Sequence, residues 1–270
     1  MTTRKLIRRI AKRVIPLGIV AYFYWPLPAL FLITGLYDVF RQKNPNIKFV
    51  FTQYFLVNGT LAWIFSPFNL LIDIICLPFI NKQVYRLDQL PKKHREEIRT
   101  LLEESPKEYL VQSLEELGAT ADRSMMFYKW YGVNVQTGYP CDLFHKRFKR
   151  ILTIGISSFR AQAQTSPHFG WLRAGVRVLI NIDEEVGEGA YIDVNGDRHV
   201  WKTDGPLFIF DDTVLHQSFN RTDKKRNCLF VDITRPSLVP WLIYGIINFF
   251  GILSTSIPGF SSLSKWKVVK

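Results

Sequence analysis

The residues best suited to chemistry lie in residues 157–236, where two histidines each precede an arginine at a similar spacing. His168 comes nine residues before Arg177, and His216 comes ten residues before Arg226. The surrounding sequence reads as short strands, so one rigid β scaffold can carry both histidines. Imidazole is a common ligand of divalent metals, and the arginine fork pairs with carboxylates. The pattern favours a metal that holds an anionic co-substrate.

Other interpretations of these residues stay open at this level. Asp212, four residues before His216, is predicted to orient an imidazole or to cap a turn. A surface ion pair is the alternative role for each arginine, and a packed or surface position is the alternative for each histidine. His94 is predicted to lie on the solvated face of a helix. Two imidazoles accept zinc as well as ferrous iron, so spacing leaves the metal undetermined.

The elements that position these residues are predicted to be strands. A hairpin is indicated over residues 189–201, with Asn195 and Gly196 as the turn residues of positive φ. Several short strands with turns between them are typical of a sandwich or jelly roll. Residues 83–118 have helical periodicity instead, with Pro91 near the start of an amphipathic helix. The fold class is therefore mainly β with flanking helices.

The charge and the cysteine content of the chain narrow the range of possible binding partners and of cellular compartments. The 270-residue chain carries a net charge of +12, concentrated at the N-terminus and around residues 145–150, and is 47% hydrophobic. Apolar runs beside basic clusters favour an anionic membrane surface over nucleic acid. Cys76, Cys141 and Cys228 form no CxxC pair and are predicted to be buried apolar residues in a reducing compartment.

Three apolar runs predict membrane association at both ends of the chain. Residues 14–36 carry no charge, and a spanning helix needs about 20 such residues. Pro26 and Pro28 leave a re-entrant hairpin as an alternative. Residues 54–72 form the second run, and residues 237–260 are polar enough to lie in the interface. Core helices of a soluble protein are the remaining interpretation.

The sequence resembles the aspartyl/asparaginyl β-hydroxylase family of Fe(II)- and 2-oxoglutarate-dependent dioxygenases. The matching residues are Ser166–Gly170, Arg177, Phe210–Thr213, His216, Arg226 and Phe230–Pro236. Within the family, the bacterial lipid A 2-hydroxylases are the most similar in style. The residues shared with them are Tyr128–Gly132, the hairpin Tyr191–Gly196 followed by Trp201, and the hydrophobic N-terminal sequence.

The resemblance implies a double-stranded β-helix whose mouth holds iron, with 2-oxoglutarate and O2 as co-substrates. His168 and His216 match the family's iron ligands. The residues that match 2-oxoglutarate contacts are Arg226, Arg177 and Ser157.

Two positions depart from the family pattern. Gly170 stands where lipid A hydroxylases have Asp, although animal aspartyl hydroxylases also have Gly there. Leu179 stands where the family has a His that contacts the co-substrate.

These observations predict three regions and one favoured function. Residues 1–82 are predicted to form a membrane anchor of two apolar segments, 83–236 the dioxygenase domain, and 237–270 a hydrophobic membrane-associated segment with a basic tail. The Arg- and Lys-rich start places the catalytic domain on the cytoplasmic side. The oligomeric state is undetermined.

The favoured function is hydroxylation of an acyl chain of a membrane lipid, such as lipid A. Hydroxylation of Asp or Asn in a polypeptide is one alternative, favoured by Gly170. A non-catalytic membrane protein on a decayed oxygenase fold is another, favoured by Gly170 together with Leu179.

Overall fold

Two β-sheets face each other in the computed structural model, which describes residues 3–79, 82–116, 122–146, 148–256 and 267–268. Within these residues the larger sheet has the order β1-β8-β5-β10-β4-β2-β11, with β3 paired to β2, and the smaller sheet has the order β7-β6-β9. The pairs are antiparallel except β11 with β2. The predicted mainly β fold with flanking helices is confirmed, and its sheets are mainly antiparallel.

The strands are short, as the turn-rich sequence predicts. They are β1 Val84–Tyr85, β2 Arg123–Trp130, β3 Val133–Asn134, β4 Ile151–Phe159, β5 Gly175–Asn181, β6 Ala190–Val194, β7 Asp197–Val200, β8 Leu207–Phe210, β9 His216–Asn220, β10 Arg226–Thr234 and β11 Lys267–Val268. The α-helices are α1 Thr3–Tyr24, α2 Pro26–Phe40, α3 Ile47–Thr52, α4 Thr60–Ile64, α5 Ser66–Ile75, α6 Lys92–Glu104, α7 Lys107–Glu116, α8 Asp142–His145, α9 Trp201–Asp204 and α10 Pro240–Ser256. A π-helical turn, Gln53–Val57, follows α3, and a 3₁₀ turn, Leu87–Gln89, precedes α6.

The larger sheet uses its two faces differently. Alternate residues of a strand point to opposite faces, and Ile154 and Ile156 of β4 pack with Ile98 of α6 and Leu110 of α7 in one apolar cluster. On the other face, Phe208 of β8 packs with Ile192 of β6 in a second cluster between the sheets. The space between the two sheets is therefore the interior in which a site can form.

The predicted hairpin between β6 and β7 is confirmed. Asn195 has φ 56° and Gly196 has φ 99°, the left-handed conformations that a two-residue hairpin turn requires. All three cysteines are buried and free, also as predicted. The prediction for His94 is wrong. It is buried, and its Nε2 lies 2.9 Å from the carbonyl oxygen of Thr234, because this face of α6 packs on the sheet.

The N-terminal apolar runs fold into several helices rather than two uninterrupted segments. Within residues 14–36, α1 ends at Tyr24 and α2 begins at Pro26, where the proline ring starts a new helix. None of the helices that the structure describes combines the length and the apolar character needed to span a bilayer. The predicted spanning helix is therefore not found among them.

Buried ion pairs join the N-terminal helices to the sheets. Arg173, which precedes β5, pairs with Asp38 of α2 and with Asp73 of α5. Asp211 pairs with Arg235 at 2.6 Å and with Arg41 at 3.4 Å. Every side chain in this cluster is at most 5% exposed. Because unpaired charges are costly in such a setting, the helices and the sheets depend on each other. The region boundary at residue 82 stays a prediction.

The C-terminal apolar run forms α10, which packs on the β2–β3 turn. A Cβ on Gly251 would lie 2.4 Å from the carbonyl oxygen of Tyr131, so the helix approaches this turn closely only because residue 251 is glycine. Residues 257–266 and 269–270 lie outside the described residues. The predicted basic tail, with Lys265 and Lys270, therefore falls largely outside them.

Candidate metal centre

His168 and His216 are direct neighbours across an antiparallel bridge. The backbone N–H of His168 donates to the oxygen of His216 at 3.1 Å, and the reverse bond measures 3.0 Å. The two ring centroids are 4.1 Å apart. The structure thus brings together the two histidines that the sequence singled out. Their role as metal ligands stays a prediction.

Backbone carbonyls orient both imidazoles in the same way. His168 Nδ1 lies 2.8 Å from the oxygen of Ser166, and His216 Nδ1 lies 2.9 Å from the oxygen of Val214. If Nδ1–H donates in each case, the lone pair resides on Nε2, as a metal ligand requires. Burial, together with the neighbouring His168, holds the pKa of His216 well below its ordinary value. His216 is therefore neutral, the form that binds metals.

Arg177 lies between two carboxylates beside the histidines. Its Nη2 donates to Asp212 at 2.8 Å and its Nε donates to Asp232 at 2.6 Å, while its guanidinium lies 3.7 Å from the ring centroid of Phe230. Burial and the nearby acids outweigh Arg177 and raise the pKa of Asp212 to about 7. Arg177 is predicted to supply positive charge to a second anionic group, but Asp212 and Asp232 already pair with its guanidinium.

The two roles predicted for Asp212, to orient an imidazole or to cap the turn, belong to other groups in the structure. Its carboxylate accepts from Arg177, and backbone carbonyls orient the imidazoles. Asp211 caps the turn instead, because its Oδ1 accepts from the N–H of Thr213 at 2.9 Å. Sequence reasoning missed Asp211, although an Asp two residues before Thr is a typical turn signal.

The absence of a side chain at Gly170 leaves room for the carboxylate of Asp212. A Cβ at residue 170 would lie 2.5 Å from the carboxylate atoms of Asp212. Asp212 therefore occupies the space into which a side chain two residues after His168 would extend. The N–H of Gly170 also donates to the backbone oxygen of Asp212 at 2.6 Å.

N-terminal residues fix both histidine segments, which the sequence analysis did not predict. Asn58 Nδ2 donates to the oxygen of Pro167 at 2.7 Å, and the N–H of Leu215 donates to Gln42 Oε1 at 3.0 Å. Phe169 and Leu215 also pack in one apolar cluster with residues of α2, α3 and α4. Pro167, Phe169 and Leu215 each lie next to a histidine in sequence, so these helices form part of the site.

Arg226 and Ser157, the two predicted co-substrate contacts, lie near each other on adjacent strands, and their role stays a prediction. Arg226 pairs with Phe159 across the sheet, and Ser157 pairs with Cys228. Ser157 Oγ lies 3.3 Å from the oxygen of Cys228, to which it donates. Arg226 is 2% exposed, and its Nε and Nη1 have no hydrogen-bond partner within the described part of the chain. A buried guanidinium with unused donors fits a carboxylate ligand.

Arg226 also borders a cleft of about 690 Å³ formed by the loops after β5, β7 and β9. A series of ring contacts leads from this arginine to the histidines: Trp201, His199, Phe208, Phe210 and His216. Leu179, the departure from the family pattern, is buried in the same apolar cluster as Trp201 and Phe208. The interior between Arg226 and His216 is therefore largely apolar.

The donor set fits a metal that takes further ligands from other molecules. Within the described residues, no group of three His, Cys, Asp or Glu side chains is placed to hold a metal. Two imidazoles on one bridge would leave most coordination positions for co-substrate and water, which suits an oxygenase metal. Chelation by a 2-oxo acid fits this arrangement, with Arg226 available for its distal carboxylate.

A family model described as aspartyl/asparaginyl beta-hydroxylase matches residues 94–236, more than half of the chain. The chain belongs to this family. The predicted family and enzyme class are confirmed: it is a hydroxylase of the Fe(II)/2-oxoglutarate dioxygenase type. No curated protein matches the chain. The resemblance to lipid A 2-hydroxylases within the family stays a prediction.

Solved structures show only low similarity. A prolyl-4-hydroxylase from Pseudomonas putida is 14% identical, with 61% of this chain and 99% of that chain covered at a TM-score of 0.36. A salicylate 1,2-dioxygenase from Pseudaminobacter salicylatoxidans is 18% identical, with 52% and 36% covered at a TM-score of 0.31. A predicted oxalate decarboxylase from Thermotoga maritima is 14% identical, with 31% and 67% covered at a TM-score of 0.25.

Proposed function

We propose that this β-hydroxylase family member hydroxylates an acyl chain of a membrane lipid, using Fe(II), 2-oxoglutarate and O2. One observation carries the proposal. The helices that fix the segments of His168 and His216 also present apolar side chains to the outside. A lipid held against these helices would bring its acyl chain to the metal centre. In this proposal the two facing sheets form a double-stranded β-helix.

The residues of the site have separate tasks. His168 and His216 would hold the metal, Arg226 would pair with the distal carboxylate of 2-oxoglutarate, and Ser157 would assist Arg226. Bound iron, 2-oxoglutarate and O2 together supply the oxidising chemistry that inserts oxygen into a C–H bond. The apolar interior between Arg226 and His216 excludes water from this reaction.

Exposed apolar side chains support binding to a membrane surface. Large side chains near the α1–α2 junction stand out, with Phe23 79% exposed and Trp25 71% exposed. Others on these helices and on α10 are Ile15, Ile19, Tyr22, Leu32, Ile33, Phe40, Trp241, Phe249 and Ile252. Exposed apolar surface on this scale is typical of interaction with a membrane or a partner. Arg8, Lys12, Lys43 and Lys48 are exposed on the same N-terminal part and suit anionic lipid.

The proposed location follows from the same features. We place the enzyme at the membrane through α1–α5 and α10, lying in the interface, with the catalytic domain on the cytoplasmic side. The basic N-terminal residues support this side, because the cytoplasmic leaflet carries the anionic lipids that attract them.

A turnover assay tests the proposal. Detergent-purified protein is incubated with Fe(II), 2-oxoglutarate and total membrane lipid, and the lipids are analysed by mass spectrometry. We expect a lipid heavier by one oxygen atom, with equimolar succinate, and loss of both in His216→Ala. Exposed His145 provides the matched control, because His145→Ala lies outside the site. Succinate production with no oxidised lipid would overturn the proposal.

Hydroxylation of Asp or Asn in a polypeptide is the second candidate. The description of the matching family model favours it, and so does Gly170. Succinate formed only after addition of peptide, with a peptide mass increased by one oxygen atom, would support this function instead. Absence of iron-dependent turnover with every substrate would support the non-catalytic alternative.

A further inference from the structure

Two arginines stack on an aromatic pair on the outer face of the smaller sheet. Tyr191 of β6 and Phe219 of β9 are cross-strand neighbours, and their rings stack with centroids 4.6 Å apart. The guanidinium of Arg198 lies 4.4 Å from the Tyr191 ring centroid, and that of Arg221 lies 4.9 Å from the Phe219 ring centroid. Stacking on rings holds a guanidinium in place while its edge donors stay available to a ligand.

The charges in this cluster sum to a net positive value. Arg198 pairs with Asp193 at 3.5 Å, and Asp193 also accepts from the N–H of Gly196 at 3.1 Å. Arg221 is exposed, and within the described residues it has no salt bridge to an acid. With one carboxylate for two guanidinium groups, the cluster has one uncompensated positive charge.

This cluster lines a cleft that also contacts His216. Tyr191, Phe219, Arg198 and Arg221 line a cleft of about 290 Å³ whose lining also includes His216. The lining also includes Phe49 of α3, which is 40% exposed. The next exposed apolar residues of α3 are Ile47 and Phe51. The lining of the cleft therefore combines two cationic residues, an apolar residue of α3 and a predicted metal ligand.

We propose that Arg198 and Arg221 bind the phosphate group of an anionic lipid substrate and thereby place its acyl chain beside His216. The proposal rests on the function proposed above and adds the chemistry by which the substrate is selected. A phosphate monoester presents several acceptor oxygens to two adjacent guanidinium groups. Phe49 in the lining is one of the exposed apolar residues of the N-terminal helices, which suits an acyl chain better than an acidic peptide.

Binding without metal tests the subsite separately from catalysis. Full-length protein in non-ionic detergent is titrated with dihexanoyl phosphatidic acid by calorimetry, with no metal added. We expect Arg221→Gln and Arg198→Gln each to weaken binding about five- to tenfold, since hydrogen bonds to charged groups are lost at a partly exposed site. Arg221→Lys keeps the charge and loses the planar fork, so we expect an intermediate affinity.

Three controls define the results that would overturn the subsite. Arg99→Gln removes the same charge from the exposed face of α6 and should change the affinity less than twofold. An equal loss in Arg99→Gln would show general charge attraction only. Inorganic phosphate that binds as tightly as the lipid would assign the cluster to free phosphate. An Asp-rich peptide that binds more tightly than the lipid, with the same dependence on Arg221, would assign it to a polypeptide.

The turnover assay separates this proposal from the proposed function. If wild-type protein oxidises lipid and the two arginine variants leave KM unchanged, the function stands and the subsite fails. If the lipid binds in an Arg221-dependent manner without being oxidised under any condition, the subsite stands and the proposed reaction fails.

Discussion

The carboxylate of Asp212 fills the space that a side chain at Gly170 would occupy. A Cβ built on Gly170 lies 2.5 Å from the Asp212 carboxylate atoms, far inside a normal contact distance. The acid beside the histidine pair thus comes from the segment between β8 and β9 and not from the segment of His168. Asp212 is in turn held by Arg177. The position of the Asp212 carboxylate therefore depends on the absence of a side chain at Gly170.

Asp introduced at position 170 alone should lower both the stability of the protein and its affinity for a metal. We expect Gly170→Asp to lower the free energy of unfolding by about 1–3 kcal/mol, because the added atoms overlap with Asp212. Cobalt binding, followed by visible absorbance, should weaken as well. The double variant Gly170→Asp/Asp212→Gly should recover both properties. Tighter cobalt binding in the single variant, without a loss of stability, would contradict this interpretation.

Removal of either histidine should abolish metal binding. We expect His168→Ala and His216→Ala to weaken cobalt binding more than about a hundredfold, because each removes one of two imidazole ligands. Calorimetric titration of the unloaded protein gives the affinity directly. His145→Ala serves as the matched control. A metal affinity that survives the loss of His216 would mean that the ion is held elsewhere.

Arg226 and Arg177 should respond oppositely to replacement by Met. Arg226→Met should weaken 2-oxoglutarate binding about ten- to a hundredfold, measured by tryptophan fluorescence in the presence of Mn(II). It should leave the stability of the unliganded protein unchanged or raised, because two buried donors of Arg226 lack partners.

Arg177→Met should instead lower the stability by about 3–5 kcal/mol, since Asp212 and Asp232 are left without their cation. Equal stability losses in the two variants would refute this distinction.

The buried ion pairs should be essential for the fold of the whole chain. We expect Arg173→Met to lower the free energy of unfolding by about 3–5 kcal/mol, because Asp38 and Asp73 remain buried without it. Arg86→Met removes an exposed pair with Asp88 and should leave the denaturation midpoint almost unchanged. Denaturant titration in detergent compares the two. The prediction fails if both variants unfold at the same denaturant concentration.

His94 should make the protein less stable in mild acid. Burial lowers the pKa of His94 from 6.5 to about 4, so the unfolded chain takes up a proton before the folded chain does. The contribution of neutral His94 to the free energy of unfolding is fully present above pH 6.5. It falls by about 3 kcal/mol as the pH approaches 4. His94→Gln keeps a donor to the Thr234 oxygen and should lack this slope. Parallel pH profiles for wild type and variant would disprove it.

The sequence predicted the hairpin and the two histidines of the site but missed the contacts that join the site to the N-terminal helices. The hairpin at Asn195 follows from turn chemistry, whereas the proximity of His168 and His216 was predicted from the repeated spacing of histidine and arginine and from the family resemblance. The link between Asp73 and Arg173 crosses 100 residues and leaves no periodic signal. Asp73 directly follows the apolar run of residues 54–72, and a charge flanked by apolar residues on both sides indicates a buried partner as well as the end of a run. His94 was misassigned because helical periodicity does not show which face packs on the sheet.

The buried ion pairs of Arg173 with Asp38 and Asp73 have a consequence for any attempt to divide the chain. A fragment that starts after α5 would keep Arg173 and Arg235 but lose three of the groups that surround them, Asp38, Asp73 and Arg41. A chimaera with N-terminal helices from another protein would have to supply two acids and an arginine at matching depths. Exchange of the N-terminal helices is thus constrained by electrostatics at their inner side, while their outer side is open to substitution.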